Sequence, residues 1–289
     1  MSNSYGKLFT IASFGESHGS CIGVVIDGCP AGLALSAADL QKDLDRRRAG
    51  GSVASTPRRE KDEAEILSGV LNGFTTGAPL CLLIKNEDVR DADYAAIRSK
   101  MRPGHADFTA HEKYGGFNDW RGGGRFSGRV TAGFVMAGAV AKKILATIGV
   151  DVIAHTVAIG GISARPLDYA AVRKNAAKDT LGCADTVAAK KMNELIAKTR
   201  AAGDSIGGII EGIALNVPVG LGEPVFDTLD GELAKSLLAI PAVKGVEFGA
   251  GFAAARMQGS DNNDPFAVKN GKVITTANNA GGILGGISN

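Results

Sequence analysis

Residues Val130 to Ala141 read Val-Thr-Ala-Gly-Phe-Val-Met-Ala-Gly-Ala-Val-Ala. This stretch is apolar on nearly every side of a helical turn. A helix from about Ser127 to Ala146 therefore has to be buried, and the rest of the chain has to cover it. The apolar run is too short to span a bilayer and ends in Lys142-Lys143, so it predicts a core helix and no membrane partner.

The segment feeding that helix is the most distinctive chemistry in the chain. It runs Met101-Arg102-Pro103-Gly104-His105-Ala106-Asp107, then Lys113-Tyr114-Gly115-Gly116-Phe117-Asn118-Asp119, then Arg121-Gly122-Gly123-Gly124-Arg125-Phe126-Ser127-Gly128-Arg129. Three glycines ahead of a helix offer free N–H groups and a positive dipole end to an anion. Arg125 and Arg129 are four apart and are expected on one helical face. Guanidinium forks grip phosphate and carboxylate with two parallel hydrogen bonds. A loop from Met101 to Gly124 with no structure of its own points to function.

A second basic group is Arg46, Arg47, Arg48, Arg58 and Arg59. Three consecutive arginines at a helix end complement its dipole, and at most one or two can reach one ligand. The net charge is only +2 and aromatic residues are 6% of the chain, so a nucleic-acid partner is not indicated. The four cysteines form no CxxC pair, which argues for buried reduced thiols. The opening Met-Ser-Asn-Ser-Tyr-Gly-Lys shows no signal-peptide pattern, and a cytoplasmic location is expected.

Gly15-Glu16-Ser17-His18-Gly19 matches G-x-S-x-G, the nucleophile elbow of α/β-hydrolases. That motif needs a helix directly after the serine, whereas Gly23-Val24-Val25-Ile26 reads as a strand. A turn carrying His18 as an acid or base is the preferred reading. No P-loop is present, and the run Gly122 to Gly128 neither fits G-x-G-x-x-G nor follows a strand. His105, Asp107 and His111 have the residue types of a metal site, but no metal is expected.

Periodicity predicts strands over Leu8 to Phe14, Ile22 to Ile26, Glu65 to Val70, Leu80 to Ile84, Asp151 to Ile159, Ser205 to Val217 and Gly245 to Phe252. It predicts helices from a Ser36/Asp39 capping box to about Arg48, broken by Gly50 and Gly51, and over about Tyr94 to Ser99, Asp185 to Ala202 and Asp230 to Ala239. Strands and helices mix throughout the 289 residues without a linker, which predicts one α/β or α+β domain.

Taken together the motifs resemble the chorismate synthase family. Phe14 to Gly19, Asp43 to Arg48, Arg102 to Asp107, Arg121 to Arg125, Gly203 to Gly207, Gly220 to Asp227, Ala242 to Glu247 and Ala280 to Ser288 match in collinear order over the whole chain. The resemblance implies an α+β fold with a β-α-β sandwich core, a single domain and a homotetramer. It implies conversion of 5-enolpyruvylshikimate 3-phosphate to chorismate and phosphate, with reduced FMN as cofactor and NADP as a redox carrier where members reduce their own flavin. By resemblance His18 protonates the departing phosphate and His105 protonates or hydrogen-bonds the reduced flavin. Arg47, Arg48, Arg102 and Arg129 hold the substrate, and Arg125, Phe126, Ser127, Pro241, Ala242 and Gly285 line the FMN site.

The chain departs from the family pattern in three places. Many members have Arg-Ser-Ser-Ala-Arg-Glu-Thr over 125 to 131, position 53 is often arginine, and position 241 is often asparagine. This chain has Phe126, Gly128, Val130, Val53 and Pro241. The family also continues past the Gly-Gly-Ile-Ser segment with a Lys-Pro-Thr loop and an Arg-His-Asp motif. The apolar ending Asn278 to Asn289 is thus expected to be an interior segment, with a non-catalytic FMN- or anion-binding fragment as the alternative reading.

Overall fold

The computed structural model describes residues 3–48, 58, 60–88, 94 and 100–289. The chain forms two compact units, Met1–Leu215 and Asn216–Asn289.

The first unit is built on a five-stranded antiparallel sheet. Its strands are β1 (Ser4–Tyr5), β2 (Thr10–Gly15), β3 (Cys21–Asp27), β4 (Glu65–Ser68) and β7 (Leu80–Lys85), in the order β1-β2-β3-β7-β4. A short hairpin of β5 (Val70–Leu71) and β6 (Phe74–Thr75) lies between β4 and β7 in the chain. In β3 and β7 the residues Ile22, Val24, Ile26, Leu80, Leu82 and Ile84 alternate inward and are fully buried. Helix α1 (Ala37–Arg47) starts at Ser36, whose N–H and hydroxyl both donate to the Asp39 carboxylate at 2.8 and 2.9 Å. Its Leu40 and Leu44 join the same core.

After α2 (Asp107–Tyr114) comes the central helix, α3 (Thr131–Thr147). It packs on β2, β3, β7 and α1. Ala132, Met136, Ala139 and Val140 face the core, and Lys142 and Lys143 reach out to Asp43 and Asp39 of α1 at 2.7 and 2.6 Å. The approach is close because Gly133 has no side chain: a Cβ there would lie 3.0 Å from the Gly23 carbonyl oxygen. Counted with its flanks, Gly128–Thr147 is 20 residues and passes for a bilayer span by length and composition, longer than the run read from the sequence. Its buried inner face shows a core helix instead.

A three-stranded antiparallel sheet completes the unit: β8 (Asp151–Ile159), β9 (Ile162–Ser163) and β10 (Gly208–Leu215), in the order β10-β8-β9. Between them lie α4 (Tyr169–Ala176), capped by Asp168, and α5 (Thr186–Ala201), whose buried N-cap Asp185 accepts from the Val187 and Ala188 amides. The second unit contains α6 (Leu229–Leu237) and α7 (Gly259–Asn262). Two hairpins accompany them, β11 (Phe266–Lys269) with β12 (Lys272–Thr275), and β13 (Ile283–Leu284) with β14 (Ile287–Ser288). The mixture of antiparallel sheets and helices is the expected α+β class.

Several expectations need correction. The stretch from Met101 to Gly124 is not structureless: it contains α2, ended by Gly115 in the left-handed region. The helix expected from Ser127 starts at Thr131, because Ser127 is extended (φ −72°, ψ 142°) and a short 3-10 turn follows it. The strand expected at Gly245 to Phe252 does not form. Gly249 and Gly251 sit at φ 57° and 53°, and Gly249 packs so tightly on the 279–281 turn that a Cβ would meet the Asn279 carbonyl oxygen at 2.1 Å. The break at Gly50-Gly51, Val53 and most of the helix at Tyr94 to Ser99 lie outside the described residues.

The fully buried Met136 at the centre of α3 gives a test of this core. Met136→Ala is expected to lower the unfolding free energy by about 2–5 kcal/mol in urea denaturation, with activity little changed in the folded fraction.

Candidate active site

The turn between β2 and β3 is the part of the first unit on which most polar contacts converge. Asn86, just after β7, donates from Nδ2 to the carbonyls of Glu16 (3.0 Å) and Gly19 (2.7 Å). The Ser17 amide donates to the Gly124 carbonyl at 3.2 Å. Arg125 donates to the Gly15 carbonyl at 2.9 Å, to Ser13 and to Asn3. The backbone carrying Ser17 and His18 is therefore held from three directions, and both residues are buried.

Ser17 is not a free nucleophile. Its hydroxyl accepts from Arg58 Nη1 at 2.8 Å, and its carbonyl accepts from Nη2 at 2.9 Å.

His18 and His105 meet the same glycine run. Gly122, Gly123 and Gly124 all have positive φ (57°, 81° and 52°), which l-residues with side chains rarely adopt. A Cβ on Gly122 would lie 2.4 Å from the His18 ring, and one on Gly123 would lie 3.2 Å from His105 Nε2. The peptide chain thus passes bare between two imidazoles. Tyr94 stands edge-on to His18 with ring centroids 5.0 Å apart, and the Arg102 guanidinium lies 5.9 Å from the same tyrosine ring. Arg102 donates through Nε and Nη2 to the two oxygens of Asp107, both at 2.8 Å. Those hydrogen bonds hold the Asp107 carboxyl far below its ordinary range, against the opposing effect of burial.

Arg47 and Arg129 converge on one buried carboxylate. Asp62 accepts from Arg129 Nη1 through one oxygen and pairs with Arg47 Nη1 at 3.3 Å through the other. Arg129 also donates from Nε to Asn86 at 3.0 Å, and Arg47 donates from Nη2 to the Gly128 carbonyl at 3.0 Å. Burial lowers the Arg47 pKa from its usual value, and Asp62 opposes that shift. Glu60 lies 3.9 Å from Arg129 and 2.7 Å from Arg58. Burial pushes its carboxyl up, but the Glu87 amide, Arg58 and Arg129 outweigh burial and bring it below the ordinary value. A continuous ionic chain therefore runs from Ser17 through Arg58, Glu60, Arg129 and Asp62 to Arg47.

The expected residues thus fall into groups. His18, His105 and Arg102 gather at the glycine run, with Tyr94 beside His18 and Arg102. Arg47 and Arg129 share Asp62. Arg48 is turned outward, donating to the Lys61 carbonyl at 3.2 Å. Arg125 and Arg129 do not share a helical face: extended Ser127 separates them, sending Arg125 to β2 and Arg129 to Asp62. Phe126 is half-exposed and tilted against Tyr114 at 6.5 Å between centroids, and the Ser127 hydroxyl accepts from the Arg129 amide at 3.2 Å. Pro241, Ala242 and Gly285 belong to the second unit. There Ala242 and Gly285 have φ 69° and 60°, and the space beside Gly285 is open. Among the described residues no three His, Cys, Asp or Glu side chains converge as a metal site.

Sequence reasoning missed Glu60, Asp62, Asn86, Tyr94 and Asp107 as site-building residues. Asp62 sits in Glu-Lys-Asp-Glu, which has the composition of a solvated loop. Only its φ of 53°, a conformation Asp and Asn tolerate better than most residues, marks it out. For the same reason Asp62→Asn keeps the backbone while removing the charge. It is expected to leave Arg47 and Arg129 uncompensated and to cost about 3–5 kcal/mol of stability, read in a denaturation series beside the exposed control Asp45→Asn.

The family model for chorismate synthase matches residues 9–289. A chorismate synthase of Dehalococcoides mccartyi is 59% identical over 288 residues, covering 100% of this chain and 79% of that protein. One from Methanosarcina barkeri is 54% identical over 286 residues, covering 99% of this chain and 78% of that protein. A solved structure described as a chorismate synthase superposes with a TM-score of 0.82 at 32% identity, covering 98% of this chain and 82% of the other. A family match over nearly the whole chain, relatives above 50% identity and the shared architecture together show that the chain belongs to the chorismate synthase family.

Proposed function

We propose that this protein is a lyase that eliminates phosphate from 5-enolpyruvylshikimate 3-phosphate to give chorismate. The observation that carries the reading is the pair His18 and His105 against the bare Gly122-Gly123 backbone, in a setting rich in arginine. A substrate with a phosphate and two carboxylates calls for such cations, in a chain whose net charge is only +2.

His18 is the proton donor to the departing phosphate. Its turn is pinned by Asn86, Arg58 and Gly124, so the ring is presented in one place without reorganisation. Arg47, Arg48, Arg102 and Arg129 are the cations for the anionic groups of the substrate, and Asp62 sets the spacing of Arg47 and Arg129.

The residues present fit a reduced FMN cofactor. A planar ring system needs an apolar surface and close backbone approach. Phe126 with Tyr114, beside Ser127, supplies the first, and the bare positive-φ run Gly122-Gly123-Gly124 supplies the second. In the first unit His105, Arg125, Phe126 and Ser127 would hold it. When bound, reduced FMN supplies an electron transiently, and the overall reaction has no net redox change.

The reading extends to NADP as the carrier that reduces the flavin, to a cytoplasmic location and to a homotetramer. Exposed Val152, Ile209 and Ile210 on β8 and β10 support assembly with further copies.

The test is anaerobic. Mixed with reduced FMN and the substrate, the protein is expected to release inorganic phosphate, and no release would count directly against the reading. His18→Ala is expected to slow release by about 10²–10⁴-fold. Gly122→Ala places a methyl against the His18 ring at a backbone angle alanine disfavours, and is expected to lose most turnover with an unchanged far-UV spectrum.

A further inference from the structure

The contacts around His105 point to a role for a neighbour that is not one of the expected site residues. Oδ1 of Asp107 lies 2.7 Å from His105 Nδ1. The same carboxylate takes two hydrogen bonds from the Arg102 side chain at 2.8 Å and one from the Arg102 amide at 3.0 Å. Ionised, it can only accept. A lone pair on Nδ1 facing it at 2.7 Å would be repelled, so Nδ1 carries a hydrogen in that contact.

The competing neighbour does not choose a tautomer. Arg102 Nη2 is 3.2 Å from Nδ1 and 3.3 Å from Nε2. Equidistance places it off the lone-pair direction of either nitrogen, and it already donates to Asp107. Nε2 and Cε1 both lie 3.2 Å from where a Gly123 Cβ would be, so the edge of the ring that carries Nε2 faces the glycine run. The remaining aromatic neighbour of this cluster, Tyr94, lies by Arg102 and His18.

We propose that Asp107 is a positioning residue for His105: held ionised by Arg102, it takes the Nδ1 side of the ring and leaves Nε2 as the atom that exchanges hydrogen bonds or protons beside Gly122-Gly123. The arrangement is the carboxylate–imidazole logic by which a base is fixed in one tautomer and one orientation. The consequence for turnover rests on the lyase reading above, whereas the tautomer does not.

The experiment reads the tautomer directly. In the 289-residue chain labelled with ¹⁵N-histidine, the four imidazoles are resolved by NMR and His105 is assigned by its loss in His105→Gln. Wild type is expected to show His105 as Nδ1–H. Asp107→Asn, which can donate as well as accept, is expected to populate Nε2–H and to lower phosphate release by about 10²-fold. Asp107→Glu, which keeps an ionised acceptor, is expected to retain Nδ1–H. The distant His155 signal on β8 reports whether each variant is folded. Should Asp107→Asn fail to fold, the wild-type and Asp107→Glu spectra decide the matter. Nε2–H in wild type, or Nδ1–H kept in a folded Asp107→Asn, overturns the proposal. Nδ1–H in a wild-type protein that releases no phosphate leaves the positioning role standing and removes the lyase reading instead.

Discussion

Asp62 holds two guanidinium groups at once, and the geometry of the first unit's polar side follows from that sharing. Arg47 comes from the last turn of α1, and Arg129 from the turn just before α3. Helix α3 packs on the main sheet and on α1, so the carboxylate fixes the distance between one helix end and another helix start. Removing two cations and one anion from water is costly, and the pairing is recovered only when the geometry is good and the leftover donors are satisfied. Here they are: Asn86, the Lys85 carbonyl and the Gly128 carbonyl take the remaining N–H groups. Asn86 in turn holds the His18 turn by two backbone carbonyls. The His18 turn and the buried ion cluster are therefore one mechanical object.

Local patterns carried much of the architecture. The Ser36/Asp39 capping box, the Asp185 cap and the alternation in Asp151–Ile159 each draw on forces acting within a few residues, and the structure has those elements where the sequence places them. Elements set by distant contacts were illegible. Val246, Phe248 and Phe252 alternate like a strand, yet the glycines between them turn the chain to fit the 279–281 backbone. The helix Asp107–Tyr114 has few apolar positions to mark a face, and only Ala110 is buried.

The site was legible in part for the same reason. His18 and His105 stand in glycine-flanked motifs whose composition is unusual in itself. Asp62, Glu60 and Asn86 have no local signature, because their role is to meet groups from elsewhere: Asp62 meets Arg129 across 67 positions, and Asn86 meets Glu16 across 70. The arginines show the converse. Sequence spacing suggested ligand-facing cations, but Arg125 spends its donors on β2 and Arg129 on Asp62. Arg102 and Arg48 are more exposed than Arg129.

The bare run Gly122-Gly123-Gly124 also decides what kind of surface lies between the two histidines. With no side chains, that surface consists of amide dipoles, which neither titrate nor rotate among rotamers. Its field is set by φ and ψ and does not change with pH, ionic state or side-chain motion. A fixed electrostatic floor of this kind confines every change of protonation to the groups at its margin, so the place where a proton can enter or leave is determined by the backbone long before any ligand arrives.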